Sequence, residues 1–421
     1  MTMKVLWITN ILFPDISREL GVTPPVTGGW MKSSAQALLD LNVGVELAVA
    51  TLYGKEYRKD VINGVTYYCL PFTIYEQKKY NPQLEKYWEI IAKDFCPDIV
   101  HIHGTEFPHG LAYLRAIGSD NIVVSIQGLV GAYARYSLGQ IPEKELKKNR
   151  TLYDYLKGHI LRLPYDMEKS GMLENEYLRM AKHVIGRTDW DRDHVWAINP
   201  NIAYHFCNET LRAPFYSHEW RIDRCERHSI FLSQAQKPIK GIHKVVEALP
   251  YIIRHYPDVK VYVSGPQFLR RISLKEKLKF DTYANYVSRM MERLGVKDRF
   301  VFTGLLDENQ IAEQYKKAHV FVCPSSIENS PNSLGEAQLV GTPVVASYVG
   351  GVPNMVENGK TGLLYRFEEH EMLAKCVCSI FEDDDLATRI SENERQAARA
   401  RHDRRRNAMR TYEIYNKIVT G

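Results

Sequence analysis

The chain of 421 residues lacks any apolar run long enough to cross a bilayer, which excludes a spanning helix. It also lacks the basic, apolar and small-residue order of a signal peptide, because Met1-Thr2-Met3-Lys4 leads directly into a strand-like run over 5–9. Those absences predict a cytoplasmic protein that can meet a membrane only peripherally, at its inner face. The 7 cysteines are odd in number and scattered, and Cys376-Val377-Cys378 is too close for the usual metal pair. Reduced thiols and no metal are expected. There is no G-x-G-x-x-G, which counts against a dinucleotide dehydrogenase. No Asp-x-Asp metal site, sequence repeat or low-complexity tract is recognised. Nor is there a strong excess of one charge. The net +5 does not call for nucleic acid, but it allows an anionic substrate or a loose hold on anionic lipid.

What is present is an ordinary globular composition, 45% hydrophobic and 25% charged, over a length that suits about two domains. Strand-like runs fall at 4–9, 43–51, 65–70, 98–103, 122–127 and 183–187, with helical patterns such as 29–41 and 82–95 between most of them. That alternation predicts a parallel, doubly wound domain. The pattern restarts with strands at 230–233, 260–264, 299–302, 320–323, 344–347 and 362–365. The expected fold is α/β, two Rossmann-like domains facing across a cleft. Their expected spans are 1–212 and 213–404, joined by a linker near 208–227. The segment 394–418 reads as one basic amphipathic helix; its last part, about 405–421, is expected to pack back on the first domain through Tyr412 and Tyr415.

The most informative stretch runs from Phe321 to Ser347. An apolar strand enters a loop of Ser, Asn and Pro, a short helix starts near Ser333, and Gly341-Thr342-Pro343 ends it before the next strand. In an open α/β sheet, ligands sit at the carboxyl ends of strands, and a helix start there attracts anions. Asn329, Ser330, Asn332, Ser333 and Leu334 form a small, largely polar loop whose backbone can approach a phosphate. Glu328 and Glu336 flank it, and each carboxylate can accept sugar hydroxyls. Phosphates between two hydroxyl-binding carboxylates indicate a nucleotide sugar. The competing reading of Glu336 is a capping box with Ser333.

Five other places carry candidate chemistry. Gly28-Gly29, at the end of the loop 10–30, lets backbone approach a ligand or simply makes a tight turn. His101 and His103 share one face of a strand, with His103-Gly104 at its carboxyl end. There His103 contacts a hydroxyl or phosphate, or else hydrogen-bonds neighbouring backbone. Glu106 in the loop beyond can accept from an acceptor sugar. Gln127, at the next strand end, offers a donor and an acceptor but cannot titrate. Lys240-Gly241 after the first strand of the second half suits phosphate binding. The stretch 133–180 is the least patterned; its Lys144, Lys147, Lys148 and Arg150 read as a solvated face or as a surface for an anionic lipid carrier or the acceptor.

Pro324-Ser325, Glu328, Glu336-Ala337, Gly341-Thr342-Pro343-Val344-Val345-Ala346, Gly350-Gly351-Val352-Pro353 and Asn358-Gly359-Lys360-Thr361-Gly362 together resemble the donor half of retaining glycosyltransferases of family 4. That family's two-domain architecture is called GT-B. The runs at 101–109, 185–191 and 233–241 resemble a subgroup from bacterial capsule and exopolysaccharide assembly. The resemblance implies a metal-independent retaining hexosyltransferase without a cofactor. Its donor would be a nucleotide-diphosphate sugar, a UDP-sugar favoured, and its acceptor a glycan, lipid-linked. It also implies that Glu336 holds the ribose, Glu328 the donor sugar, and Lys240 with Gly28-Gly29 the diphosphate. The chain departs from the family in two places. Gln127 stands where many relatives carry His. The usual diphosphate-binding Arg has no counterpart at 234–236, so Lys237 or Arg187 supplies that charge, or the donor is held with less. A sugar-nucleotide epimerase and a non-catalytic nucleotide-sugar-binding partner of another transferase are the alternatives.

Overall fold

The computed structural model describes residues 2–25, 28–73, 80–157, 160–266, 269 and 281–421. Part of the loop singled out above, Val26-Thr27, therefore lies outside the described residues. The chain forms two compact units: Met1–Ala132 with Met167–Arg212 and His402–Gly421, and Tyr133–Asp166 with Ala213–Arg401. An unbroken first domain over 1–212 was expected. Residues 133–166 instead group with the second unit.

In the first unit eight strands form one sheet. They are β1 (Met3–Thr9), β2 (Val45–Leu52), β3 (Arg58–Ile62), β4 (Val65–Leu70), β5 (Ile99–His103), β6 (Ile122–Ser125), β7 (His183–Gly186) and β8 (Ala203–Phe206). The order is β3-β4-β2-β1-β5-β6-β7-β8. All neighbours are parallel except β3 and β4, whose hairpin turns at Asn63 (φ 51°) and Gly64 (φ 78°). An Asn-Gly pair with both φ positive is the turn that matches strand twist.

Both faces of this sheet are buried, so its strands read as nearly continuous apolar runs. Val5, Trp7, Val49 and Ile99 pack on one face with the helices Gly29–Leu39 and Arg404–Thr420; Leu6, Ile8, Ala48, Val100 and Ile102 pack on the other with Gln83–Phe95 and His109–Ile117.

The basic pattern over 394–418 is two helices, Asp384–Arg401 and Arg404–Thr420; Asp403 caps the second by accepting from Arg406 N at 2.7 Å. In the second helix Tyr415 is fully buried. Its hydroxyl accepts from Trp7 Nε1 at 3.0 Å and meets His101 Nδ1 at 2.5 Å; His101 Nε2 meets Ser125 Oγ at 2.5 Å. Burial, then the Arg187 charge, push His101 down to about 3, so its ring is neutral. With Trp7 donating to it, Tyr415 passes its own proton toward Nδ1, and Nε2–H donates to Ser125. One tyrosine thereby satisfies a buried indole and fixes a histidine tautomer.

The second unit carries β9 (Glu226–Leu232), β10 (Lys260–Ser264), β11 (Phe300–Gly304), β12 (Ala318–Cys323), β13 (Val344–Ser347) and β14 (Leu363–Tyr365). They form one parallel sheet in the order β11-β10-β9-β12-β13-β14. The expected linker near 208–227 holds a short helix, Pro214–Ser217, and the start of β9. The fold class is thus GT-B-like α/β, two Rossmann-like units each built on a doubly wound sheet. All seven cysteines are free; Cys69, Cys207 and Cys323 are buried and Cys96 alone is exposed.

Replacing Tyr415 by Phe leaves the Trp7 N–H and His101 Nδ1 without partners. We expect Tyr415→Phe to lose about 1–3 kcal/mol in denaturant unfolding, the cost of a buried unsatisfied polar group. An unchanged midpoint would mean that water replaces the hydroxyl.

Candidate functional site

In the second unit the parallel neighbours β9 and β12 end side by side, so the loops after them must meet. Gly241 makes the meeting close. Its φ is +70°, and a Cβ there would lie 1.7 Å from the Pro324 carbonyl oxygen. Lys240 from one loop then reaches Glu328 on the other, Nζ to Oε1 at 2.6 Å, and Ser325 Oγ donates to the same oxygen at 2.7 Å. Burial alone pushes the Lys240 ammonium down, but the Glu328 carboxylate outweighs it and holds the pKa above the ordinary lysine value. Lys240 is therefore charged at neutral pH.

The Glu328 backbone is clamped as well. Gly351 N donates to its carbonyl at 3.0 Å, and a Cβ on Gly350 would sit 2.0 Å from that oxygen. This is the structural reason for Gly350-Gly351. The loop that follows leads into the helix Asn332–Val340, whose N-cap is Pro331 with no side-chain cap. Ser333 is therefore inside the helix and Glu336 is beyond its first turn, so the two do not form a capping box. Leu334 and Gly335 N–H groups turn back to the Pro331 carbonyl at 3.0 and 3.2 Å. Asn329, Leu334 and Glu336 are buried; Ser330 Oγ meets Met355 Sδ at 3.6 Å, and the Ser333 carbonyl accepts from Tyr315 Oη at 2.8 Å. Lys237 is exposed at the start of the short turn Pro238–Lys240. One region of this unit thus gathers Lys237, Lys240, Glu328, Asn329, Ser330, Asn332, Ser333, Leu334 and Glu336.

The first unit has its own cluster at the carboxyl ends of β5 to β7. His103 stacks on His101 with ring centroids 3.9 Å apart and tilts against Trp7 at 4.4 Å. Burial, then His101 and Arg187, hold it well below the ordinary histidine value. Both ring nitrogens are buried without a hydrogen-bond partner, so a bond to neighbouring backbone is ruled out. They face a cavity of about 40 Å³ that Trp7, Trp30, Ser125, Arg187, Glu209 and Asn407 also line. That is room for a few waters or one hydroxyl-bearing group. Arg187 is buried and paired with Glu209, Nη2 to Oε1 at 2.5 Å. Its charge is committed within this unit. Gly28 (φ +82°) precedes the helix Gly29–Leu39, and a Cβ on it would lie 2.2 Å from Ile11 Cδ1; turn geometry and packing account for this glycine.

Beside that cavity lies a group of carboxyls. The Glu106 Oε2 is enclosed next to Gly104, where a Cβ would lie 2.1 Å away, and Gln127 Cγ is 3.4 Å from the same point. Sequence reasoning missed Glu174, which lies on the helix Leu163–Met180. Its carboxylate accepts from Thr105 Oγ1 at 2.6 Å, Val130 N at 3.1 Å and Gly131 N at 3.0 Å, tying together the loops after β5 and β6. The helix can come this close because Gly171 meets Gly131 backbone to backbone. Burial raises both Glu106 and Glu174 to about 7.

Among the described residues no group of three or more His, Cys, Asp or Glu could hold a metal ion, and no helix is long and apolar enough to cross a membrane.

Residues 216–397 match the family model described as glycosyl transferases group 1. A D-inositol 3-phosphate glycosyltransferase of Corynebacterium urealyticum is 29% identical over 196 residues, 45% of this chain and 43% of that protein. Spore coat protein SA of Bacillus subtilis is 27% identical over 192 residues, 45% of this chain and 48% of that protein. The chain thus spans less than half the length of these curated relatives. Among solved structures, sucrose-phosphate synthase from Thermosynechococcus elongatus superposes with a TM-score of 0.72 at 17% identity, covering 99% of both chains. Anabaena Alr3699/HepE in complex with UDP-glucose gives 0.64 at 16% identity, covering 99% of this chain and 100% of that one. These likenesses establish the GT-B fold class.

The raised carboxyls have a pH consequence. A carboxyl near 7 in the fold and near 4.5 unfolded binds its proton more tightly when folded, so stability falls as pH rises from about 4.5 to 7 and levels off above that. Glu174→Gln keeps an acceptor for one of the two N–H groups and removes the ionisation. We expect its melting temperature to fall less between pH 5 and 7.5 than that of the unmutated protein. Equal slopes would show that Glu174 does not titrate in this range.

Proposed function

We propose that this protein is a retaining glycosyltransferase that moves a sugar from a nucleotide-diphosphate donor, a UDP-sugar, to a lipid-linked glycan in bacterial capsule or exopolysaccharide assembly. The observation that carries the reading is the Lys240–Glu328–Ser325 cluster beside the start of the helix Asn332–Val340. A departing diphosphate needs positive charge that is already in place, and fixed cations and N–H groups supply it without reorganisation. Lys240 provides the ammonium, and the first N–H groups of the helix provide the positive end of a dipole. On this reading the neutralisation needs no metal ion and no cofactor.

Glu328 uses Oε1 for Lys240 and Ser325, which leaves Oε2 to accept a donor-sugar hydroxyl. Buried Glu336 accepts from the ribose. The family resemblance implies substitution on the same face, the leaving phosphate taking the acceptor's proton. The His103 cavity, with Glu106 and Gln127 beside it, receives the acceptor: a neutral imidazole offers one donor and one acceptor to a hydroxyl. The exposed Leu152, Tyr155 and Leu156 near Lys144, Lys147, Lys148 and Arg150 suit peripheral contact with an anionic inner-membrane surface that carries a lipid-linked acceptor.

The experiment is a thermal shift against nucleoside diphosphates and nucleotide sugars, with and without EDTA. A ligand at 100 times its Kd stabilises the native state by about 2.7 kcal/mol. We expect a shift with UDP and one UDP-sugar, unaffected by EDTA. Silence across the panel would turn the reading toward a partner of another transferase; consumption of the donor without an acceptor would turn it toward an epimerase.

Two variants sharpen it. Glu336→Ala is expected to weaken UDP binding far more than it lowers the unliganded midpoint. Lys240→Ala should lower turnover by about 10²-fold and weaken UDP binding in parallel, as for removal of one pre-placed charge at a developing anion. Unchanged kinetics would remove Lys240 from the site.

A further inference from the structure

Residues 133–166 follow β6 in sequence but are built into the second unit. We propose that the turn over 136–139 and the imidazole of His243 form a positioning element of the donor site, fixing the two loops that carry Lys240 and Glu328. The inference rests on the donor-site reading given above.

The turn touches both loops. Gly139 N donates to the Tyr136 carbonyl at 2.9 Å, closing the turn. The second lone pair of that carbonyl accepts from Ser326 Oγ at 2.8 Å, two residues before Glu328. Ser326 N in turn donates to the Ile239 carbonyl at 2.8 Å, next to Lys240. Gly139 lies against Pro238: its φ is +59°, and a Cβ would meet the Pro238 carbonyl oxygen at 2.4 Å and His243 Cε1 at 2.8 Å.

His243 lies in the first turn of the helix Ile242–Ile253, immediately after Lys240-Gly241. It is fully buried and neutral, with Nε2 2.9 Å from the Gly139 carbonyl and Nδ1 3.1 Å from Tyr283 Oη. A carbonyl can only accept, so Nε2 carries the proton and Nδ1 accepts from Tyr283. One ring thus holds three separate segments in a single tautomer. The rest of the excursion is anchored away from the site: Thr282 Oγ1 donates to Asp154 Oδ2 at 2.5 Å, and Asn285 Nδ2 to the Asn149 carbonyl at 2.9 Å. The far anchors fix the segment, and the near turn transmits that fixation to Pro238 and Ser326. The Lys240–Glu328 distance therefore depends on residues that touch neither side chain.

The test compares His243→Ala, His243→Gln, Gly139→Ala and Ser326→Ala in the full chain. It reads UDP affinity by calorimetry, melting temperature, and amide hydrogen exchange over 238–243 and 325–328 without ligand. We expect His243→Ala to bind UDP about tenfold more weakly, the scale of a lost buried hydrogen bond, with faster exchange in both loops. His243→Gln keeps a donor for the Gly139 carbonyl and should recover most of the affinity. Gly139→Ala should behave like His243→Ala, and serves in its place if that variant does not fold. Lower melting temperatures with UDP affinity within twofold and unchanged exchange in both loops would overturn the proposal, leaving His243 a purely structural residue. If the unmutated protein binds no nucleoside diphosphate, the donor reading fails. Exchange then decides the loop coupling alone: acceleration in both loops sustains it and unchanged exchange refutes it.

Discussion

A backbone contact with no room for a side chain underlies the second unit's chemistry. Gly241 against the Pro324 carbonyl lets two strand-end loops interlock, and only then does Lys240 lie within reach of Glu328. A partly buried ion pair is weak evidence of stability, because desolvating both charges cancels much of their attraction. Its value here is placement. It keeps an ammonium charged in a water-poor setting and orients a carboxylate with one oxygen to spare. The glycine at 350 serves the same end from the opposite side, by admitting Gly351 N to the Glu328 carbonyl.

The first unit solves a different problem, the burial of many polar groups at one sheet edge. Tyr415, His101 and Ser125 satisfy one another in a line, while His103 is left with two open nitrogens toward a cavity. Glu174 does with one carboxylate what a helix start needs: it receives the Val130 and Gly131 N–H groups and also holds Thr105. Desolvation of such carboxyls is tolerable because they can stay protonated, which is why their titration moves toward neutrality.

Much of the fold was legible because buried parallel strands announce themselves as runs of β-branched, aromatic and other apolar residues. Val65–Leu70, Lys260–Ser264 and Val344–Ser347 are found where those runs lie. β3 escaped notice since Arg58–Ile62 is an edge strand with three charged residues before its two apolar ones, although Asn63-Gly64 was a hairpin signal in plain view. The excursion 133–166 was illegible as part of the second unit because it is attached through main-chain carbonyls of Tyr136, Gly139 and Asn149 and through isolated polar side chains such as Asp154, which no periodic pattern encodes. The positions of Glu328 and Lys240 in the loops after apolar strands were readable. Glu174 was not, yet Gly171, Glu174, Tyr177 and Leu178 share one buried helical face, and a carboxylate on such a face is a sign of a partner. The break at His402-Asp403 was obscured because arginines continue on both sides of it.

The thiol inventory has a practical side. Burial pushes Cys323, beside the Lys240–Glu328 pair, up to about 12, and Cys69 likewise, so neither presents a thiolate at neutral pH. Cys96 is the exposed cysteine, and it precedes β5 at the strand's amino end. His103 ends the same strand, roughly 20 Å away at about 3.3 Å per residue. A maleimide fluorophore or spin label applied to Cys96 would therefore sit at the amino end of the sheet, remote from the cavity, and could report on the first unit without blocking what enters it.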